Sequence, residues 1–236
     1  MAGQKREFDV SAYLVIGPEN TLGRPVEEII KAAVSKGFSF VQLRSKVTEA
    51  RDLITLSAAT DRVLTEIGKR QEVTFVINDR LDVVLAAREQ GIKVDGIHVG
   101  QQDIPPEICR KYLGNDAVIG LSAPTEDLLS YVQNIKLPDI DYLGAGPLHP
   151  TLTKKDCGLQ LDGRIITRSL AELTELAKIS PWPVVVGGGV KLNDLPALAT
   201  TGVDGFFVVS AVTEATDTLR VAEELVSCWK NSTHIK

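Results

Sequence analysis

Two aspartates, Asp79 and Asp103, each follow a short apolar segment of the chain, in "VTFVIND" and "DGIHVGQQD". Hard oxygen ligands supplied singly by different segments suit Mg²⁺, which binds proteins through one or two carboxylates together with waters and substrate phosphates. The alternative is that each carboxylate only caps the turn or helix that follows it. Because two aspartates occupy equivalent positions, and Asn78 stands beside one of them, the pattern favours a metal site.

A second group of polar residues ends the segment "VQLRSK". Alternation along a strand places Gln42, Arg44 and Lys46 on one face, which lines up three hydrogen-bond donors. Arginine grips a phosphate through two N–H groups, whereas lysine supplies a compact charge. The pattern indicates a phosphate-binding strand end, although a solvated turn would also produce it. Further hydroxyl and basic residues cluster later in the chain: Thr151, Thr153, Lys154 and Lys155.

Glycine-rich segments offer another way to bind phosphate, through backbone N–H groups. Gly187, Gly188 and Gly189 in "VVVGGGV" would let the backbone approach an anion closely. The segments "GGGVKL" and "GAGPLH" fail the dinucleotide fingerprint, because they end in Leu and His where Gly or Ala belongs. The segment "GLQLDGRI" lacks the Lys and the hydroxyl residue that end a Walker A motif. Nucleotide binding by either standard loop is therefore disfavoured.

The histidines and cysteines do not form a recognisable catalytic set. His98 lies within an apolar segment, which predicts a hydrogen-bonded core residue rather than a ligand, whereas His149 follows a strand and His234 lies near the end. Three widely spaced cysteines indicate neither a disulfide framework nor a zinc site. Cys157 is interpreted as a packing residue. Covalent acyl chemistry is disfavoured, because no Ser/His/Asp or Cys/His set can be assembled.

Composition and charge narrow the class of protein further. The formal net charge is -5, with acidic and basic residues interspersed and no basic block that would bind nucleic acid. No apolar run approaches the roughly 20 residues needed to span a bilayer, and the first residues do not resemble a secretory signal. We therefore expect a cytoplasmic protein with no nucleic-acid or membrane partner. The oligomeric state stays open, a homo-oligomer included.

The elements that must position these residues alternate between two kinds. Short β-branched apolar segments predict eight strands, over residues 13–17, 38–44, 73–78, 96–100, 118–122, 142–147, 183–189 and 205–210. Helical spacing predicts the segments between them, over 25–36, 48–70, 81–89, 105–113, 126–136, 164–179, 194–201 and 216–230.

Eight such units in 236 residues predict a single (β/α)8 TIM barrel, with a doubly wound sheet as the competing architecture. We treat residues 1–236 as one domain with flexible termini at about 1–8 and 231–236. In a barrel, the polar groups named above all follow strand ends, so they converge on one rim. Such a rim suits two phosphorylated substrates, one of them a metal-bound diphosphate.

Seven segments of the chain resemble the thiamine phosphate synthase family in order and spacing: "VQLRSK", "VINDRLDVVLA", "DGIHVGQQDIP", "GLSAPT", "YLGAGPLHPTLTKKDCG", "VVVGGGV" and "DGFFVVSAV". The resemblance runs from about Tyr13 to Val212. It implies a (β/α)8 enzyme that joins hydroxymethylpyrimidine diphosphate to a thiazole phosphate, giving thiamine phosphate and diphosphate. It also implies that diphosphate leaves first, and that the thiazole nitrogen captures the pyrimidine methylene cation.

The resemblance further implies roles for individual residues. Those that would hold the pyrimidine diphosphate are Gln42, Leu43, Arg44, Ser45, Lys46, Asn78, Ser122 and Lys154, with Arg44, Lys46, Ser122 and Lys154 serving catalysis. Asp79 and Asp103 would bind Mg²⁺. Those that would meet the thiazole phosphate are Thr151, Leu152, Thr153, Gly189, Val209 and Ser210.

Three positions depart from the family pattern. Pro124 stands where a His is usual, Ser45 replaces a usual Glu, and His149 occupies a position that is often apolar or aromatic. The alternatives to a synthase are a thiazole tautomerase, a non-catalytic barrel that binds thiazole phosphate, and a generic phosphosugar barrel. The joint presence of the two aspartates with Arg44 and Lys46 favours the synthase.

Overall fold

Eight parallel strands form a closed barrel in which each strand pairs with the next along the chain and β8 pairs with β1. The computed structural model describes residues 7–124, 126–134, 139–151 and 165–233. The strands are β1 Ala12–Ile16, β2 Phe40–Leu43, β3 Thr74–Asn78, β4 Gly96–Val99, β5 Val118–Ser122, β6 Tyr142–Ala145, β7 Val184–Val186 and β8 Gly205–Val208. The predicted (β/α)8 barrel is thereby confirmed, and the doubly wound alternative is wrong because the sheet closes.

Helices follow the strands and form the outer layer. They are α1 Val26–Ser35, α2 Ala50–Glu66, α3 Leu81–Glu89, α4 Pro106–Leu113, α5 Leu128–Asn134, α6 Leu170–Ile179, α7 Leu195–Thr200, α8 Ser210–Thr213 and α9 Thr218–Thr233. Each of the eight predicted helices overlaps an observed one, and α8 is an additional short helix directly after β8. Helix α9 continues to Thr233, three residues beyond the predicted end at Lys230.

Strand alternation divides the core into two layers. On β2, Val41 and Leu43 pack outward against the helices, whereas Phe40 packs inside the barrel. Large residues from several strands fill that interior, among them Tyr13 and Tyr142, and Phe8 packs beside Phe40 with ring centroids 6.4 Å apart. Because these rings occupy the lower interior, the open space of the barrel lies toward the carboxyl ends of the strands.

Three aspartates stabilise the opposite end of the barrel, one before each of β4, β6 and β8: Asp95, Asp141 and Asp204. Each carboxylate accepts a hydrogen bond of 2.8 Å from a backbone N–H at the neighbouring strand. Arg70 and Arg110 pair with the first two, at 3.1 and 2.7 Å. Polar groups at the amino ends of barrel strands commonly serve stability.

Within the described residues, no helix is both long enough and apolar enough to cross a bilayer.

Candidate active site

A cavity of about 170 Å³ opens at the carboxyl ends of the strands. Residues from all of β1 to β8 or the loops that follow them contribute to its wall. Its polar lining includes Asn20, Gln42, Arg44, Asn78, His98, Ser122, Thr151 and Ser210, together with Gly188 and Gly189. The prediction that these strand ends converge is therefore confirmed for the described residues.

A shallower depression adjoins the cavity on the side of β2, β3 and β4. It is lined by Ser45, Lys46, Asp79, Arg80, Gln102, Asp103 and Ile104. Asn78 connects the two spaces, because it lines the cavity while its amide nitrogen donates a 2.6 Å hydrogen bond to Asp79 Oδ2. The two aspartates and Lys46 therefore stand at the edge of the cavity.

Asp79 has an unusual backbone conformation at the end of β3, with a φ of 60°. Its own N–H bonds to the His98 carbonyl oxygen at 2.8 Å, which ties this turn to β4. Non-glycine residues rarely adopt positive φ, and such strained residues cluster at functional sites. Its carboxylate also forms an ion pair with the Lys46 ammonium group.

Asp103 faces the same depression from the turn after β4. Its Oδ2 accepts a 2.8 Å hydrogen bond from the backbone N–H of Gly100, so this carboxylate does cap its own turn. A Cβ at position 100 would lie only 2.8 Å from that oxygen, so a larger residue there would require the Asp103 carboxylate to shift. Among the described residues, no group of three or more His, Cys, Asp and Glu side chains is placed to hold a metal ion.

The predicted basic strand end is divided between the two spaces. Gln42 and Arg44 line the cavity, whereas Lys46 lines the depression with its side chain 54% exposed. Ser45 is buried; its hydroxyl donates a hydrogen bond to the Glu19 carboxylate and bonds to the Thr48 hydroxyl at 2.7 Å. Ser45 therefore shapes the turn that carries its two basic neighbours.

Loops after β6, β7 and β8 form the opposite wall of the cavity. Gly188 and Gly189 have positive φ values of 80° and 74°, and a Cβ at Gly189 would lie 2.9 Å from the Cβ of His149. The side chain of His149 bonds to Asp194 at 3.0 Å, which joins the loop after β6 to the one after β7. This gives His149, unassigned from the sequence, a definite structural partner.

A buried chain of hydrogen bonds crosses the barrel beneath the cavity. Gln42 Nε2 donates to Tyr13 Oη at 2.6 Å, and Tyr13 Oη bonds to Tyr142 Oη at 2.9 Å. Tyr142 Oη bonds to His98 Nδ1 at 2.9 Å, and His98 Nε2 bonds to Ser122 Oγ at 2.9 Å. Burial raises the pKa of both tyrosine hydroxyls well above the ordinary value, so both remain protonated.

Sequence reasoning missed Tyr13 and Tyr142, and it anticipated only half of the role of His98. His98 is a hydrogen-bonded core residue as predicted, yet it also lines the cavity. The available signal was the alternation in "GIHVG", since Ile97 and Val99 pack outward and the residue between them must face inward. A second signal was the glycine at position 120 inside an apolar strand segment, which indicates that another group approaches closely. In the structure that group is the Tyr142 ring, which would lie 2.1 Å from a Cβ at position 120.

Arg168 connects two rim loops from beneath. Its Nη2 donates to the Pro124 carbonyl oxygen at 2.5 Å, and its Nη1 pairs with Glu172 at 2.8 Å. Its Nε reaches the Gly146 carbonyl oxygen at 3.4 Å, and its own N–H bonds to the Pro147 carbonyl oxygen at 2.8 Å. The segment around Pro124, which departs from the family pattern, is therefore held by an arginine of this chain.

The predicted site residues that the structure describes divide between the cavity and the depression, apart from Leu43. Those at the cavity are Gln42, Arg44, Asn78, Ser122, Thr151, Gly189, Val209 and Ser210. Those at the depression are Ser45, Lys46, Asp79 and Asp103. Leu43 belongs to neither, because its side chain is fully buried in the outer core and leaves only its backbone near the rim. Leu152, Thr153 and Lys154, with the unassigned Lys155 and Cys157, lie outside the described residues.

Fold and cavity together define a (β/α)8 barrel with its candidate active site at the carboxyl ends of the strands. Residues 12–212 match the family model described as thiamine monophosphate synthase, and the chain belongs to this family. As a member of a family of thiamine-phosphate synthases, it is a transferase.

Individual relatives agree with this assignment. The thiamine-phosphate synthase of Corynebacterium efficiens is 37% identical over 219 residues, which cover 93% of this chain and 94% of that protein. The one from Moorella thermoacetica is 33% identical, covering 90% and 92%. The structure of thiamine phosphate pyrophosphorylase from Pyrococcus furiosus superposes with a TM-score of 0.75 at 26% identity, covering 94% and 96%. Tryptophan synthase subunit alpha from Legionella pneumophila, at a TM-score of 0.62 and 13% identity, shares the fold alone.

Proposed function

We propose that this enzyme transfers the hydroxymethylpyrimidine group from its diphosphate to the nitrogen of a thiazole phosphate, forming thiamine phosphate and diphosphate with the help of Mg²⁺. The observation that carries the proposal is the shape of the cavity. Gln42, Arg44 and Asn78 form one polar wall, beside the depression that holds two aspartates. Gly189 and Ser210 belong to the opposite wall.

The two walls suit two different anions. Arg44, with Lys46 at the adjoining depression, supplies positive charge where the diphosphate would lie. The glycine loop after β7 and the segment after β8 supply backbone N–H groups and the hydroxyl of Ser210, which suit a single phosphate group. A substrate on each wall would place its reactive end toward the middle of the cavity, over the hydrogen-bonded chain from Gln42 to Ser122.

The residues of the depression fit a magnesium ion. Asp79 and Asp103 face the same space, and the described hydrogen bonds engage only Oδ2 of each carboxylate. Mg²⁺ binds proteins through one or two carboxylates when substrate phosphates and waters complete its coordination, and the depression supplies two. When bound there, the ion would neutralise negative charge on the diphosphate and so make it a better leaving group.

The protein's own part in catalysis is positioning and charge stabilisation. Arg44 and Lys46 would bind the departing diphosphate, whose negative charge grows as the carbon–oxygen bond breaks. Asn78 and Gln42 would orient the pyrimidine, and the opposite wall would hold the thiazole with its nitrogen facing the same carbon. No general base is required, because the thiazole nitrogen attacks through its lone pair. Holding both partners in line removes much of the entropic barrier.

The direct test incubates the purified protein with both substrates and Mg²⁺ and measures thiamine phosphate and diphosphate. Equimolar formation of both products is the expected result. If neither forms, the proposal is wrong. Conversion of a thiazole phosphate isomer without the pyrimidine substrate would instead support the tautomerase alternative, and binding without turnover would support a non-catalytic barrel.

A further inference from the structure

The hydrogen bonds beneath the cavity form a continuous chain of five side chains from five different strands. Tyr13 and Tyr142 are 2% and 0% exposed, and His98 is 9% exposed. Buried hydroxyl groups need partners for both their hydrogen and their oxygen. The direction in which each hydrogen points is therefore determined by what the neighbours can donate or accept.

The direction follows from the amide of Gln42. Its Nε2 can only donate, so Tyr13 Oη accepts that bond. The other described partner of Tyr13 is Tyr142, to which Tyr13 must then direct its single hydrogen. Tyr142 Oη accepts from Tyr13 and directs its own hydrogen to Nδ1 of His98.

His98 extends the same donor-to-acceptor direction from Tyr142 to Ser122 at the cavity wall. With Nδ1 as the acceptor, a neutral ring carries its hydrogen on Nε2, which donates to Ser122 Oγ at 2.9 Å. The hydroxyl hydrogen of Ser122 is then not used on His98 and can point into the cavity, whose wall Ser122 helps to form. If the hydrogen bonds ran in the reverse direction, the Ser122 hydroxyl would donate to His98 Nε2. Only the lone pairs of Ser122 Oγ would then face the cavity, so Ser122 could only accept a hydrogen bond from a substrate.

We propose that this chain fixes His98 as the tautomer with hydrogen on Nε2, and thereby makes Ser122 a hydrogen-bond donor toward the substrate. His98 and Tyr142 are positioning residues that act through Ser122. An anionic oxygen needs a donor, so the direction of the chain matches the side of the cavity assigned to the diphosphate. This last step rests on the proposed function, whereas the tautomer itself does not.

The tautomer can be measured without any substrate. In protein labelled with ¹⁵N-histidine, couplings between the ring nitrogens and the carbon-bound ring protons report which nitrogen carries hydrogen. A background with His149→Gln and His234→Gln leaves the signals of His98 alone. We expect the Nε2–H pattern, and a predominant Nδ1–H pattern overturns the proposal.

Two variants test what sets the direction. Tyr142→Phe removes the donor to Nδ1, and Gln42→Met removes the donor that starts the chain. Each should convert the single tautomer into a mixture while the rest of the spectrum stays that of a folded protein. Tyr131→Phe is the matched control, because the Tyr131 hydroxyl bonds to Gln101 and lies outside the chain. A tautomer unchanged in both test variants contradicts the proposal.

A kinetic cycle tests the link to Ser122. Tyr142→Phe should lower kcat about tenfold, less than the ~100-fold effect of removing a preorganised donor outright. Adding Tyr142→Phe to Ser122→Ala should cause no further loss, because the oriented hydroxyl is already gone. Additive losses would overturn the link. If the protein forms no product at all, the tautomer measurement still decides the proposal while the proposed function fails separately.

Discussion

The Lys46 ammonium group forms an ion pair with Asp79 Oδ2 and so joins the loop after β2 to the end of β3. Lys46 is half exposed, whereas the side chain of Asp79 is only 15% exposed. One carboxylate of the proposed metal site therefore already has a cation beside it. A divalent ion that binds there must share Asp79 with the ammonium group or displace it.

Lys46→Met is expected to raise the affinity for Mg²⁺ alone, on the order of tenfold. A unit charge repels another by about 1 kcal/mol at 4 Å in water, and twice that applies to a dication. The same change should lower turnover, because a cation near the diphosphate is lost. Isothermal titration calorimetry measures the first effect and product formation the second. Lys69→Met, which removes an exposed lysine paired with Glu72 far from the rim, is the control and should alter neither.

Asp79→Asn and Asp103→Asn should each lower turnover by roughly 100-fold or more, because each amide substitution removes a charged oxygen ligand for Mg²⁺. The apparent Mg²⁺ concentration at half-maximal rate should rise in both. Steady-state rates across a Mg²⁺ series provide the measurement. Asp52→Asn, in the exposed first turn of α2, should behave as the unmodified enzyme. Full Mg²⁺-dependent activity in both site variants would refute the metal assignment alone.

Arg168→Met should lower the free energy of unfolding by about 2–4 kcal/mol, because the rim carbonyls of Pro124 and Gly146 and the Glu172 carboxylate lose a charged donor together. Urea denaturation measures the change. Arg220→Met is a matched control: Arg220 also pairs with the glutamate four residues on, but its side chain is 68% exposed. That change should cost less than about 0.5 kcal/mol. Equal losses in the two variants would show that the rim contacts of Arg168 contribute nothing.

Gly120→Ala should disrupt the hydrogen-bonded chain, because the added Cβ would lie 2.1 Å from Tyr142 Cζ and 2.5 Å from His98 Nδ1. We expect a loss of stability of about 1–3 kcal/mol, typical of overpacking, together with shifted His98 ring signals. Gly91→Ala is the control for backbone strain. Position 91 has a positive φ but open space around it, so the added methyl group strains the backbone without clashing with a neighbour. It should cost about 1–2 kcal/mol and leave the His98 signals in place. Unmoved His98 signals in Gly120→Ala would contradict the predicted clash.

Much of the fold could be predicted because local patterns decide it. Short β-branched apolar segments identified all eight strands, with ends that differ by up to three residues, and helical spacing identified the helices between them. Strand ends were the least certain, as in the glycine segment after β7, where Gly187 to Gly189 belong to the loop rather than the strand. The rim positions of Arg44, Asp79 and Ser122 followed from the strand order alone, because parallel strands of a barrel share one carboxyl end.

The sequence by itself determined the order of the strands along the chain and which residues follow each strand at the rim. Both can be read from local patterns that span only a few residues. Closure of β8 on β1, the chain from Gln42 to Ser122 and the contact of Arg168 with Pro124 were decided only by the tertiary structure. Tyr13 and Tyr142 are 129 residues apart, yet their hydroxyls bond at 2.9 Å. Their meeting depends on strand register and on the space left by Gly120, and no local pattern encodes how side chains from opposite sides of a barrel share its interior.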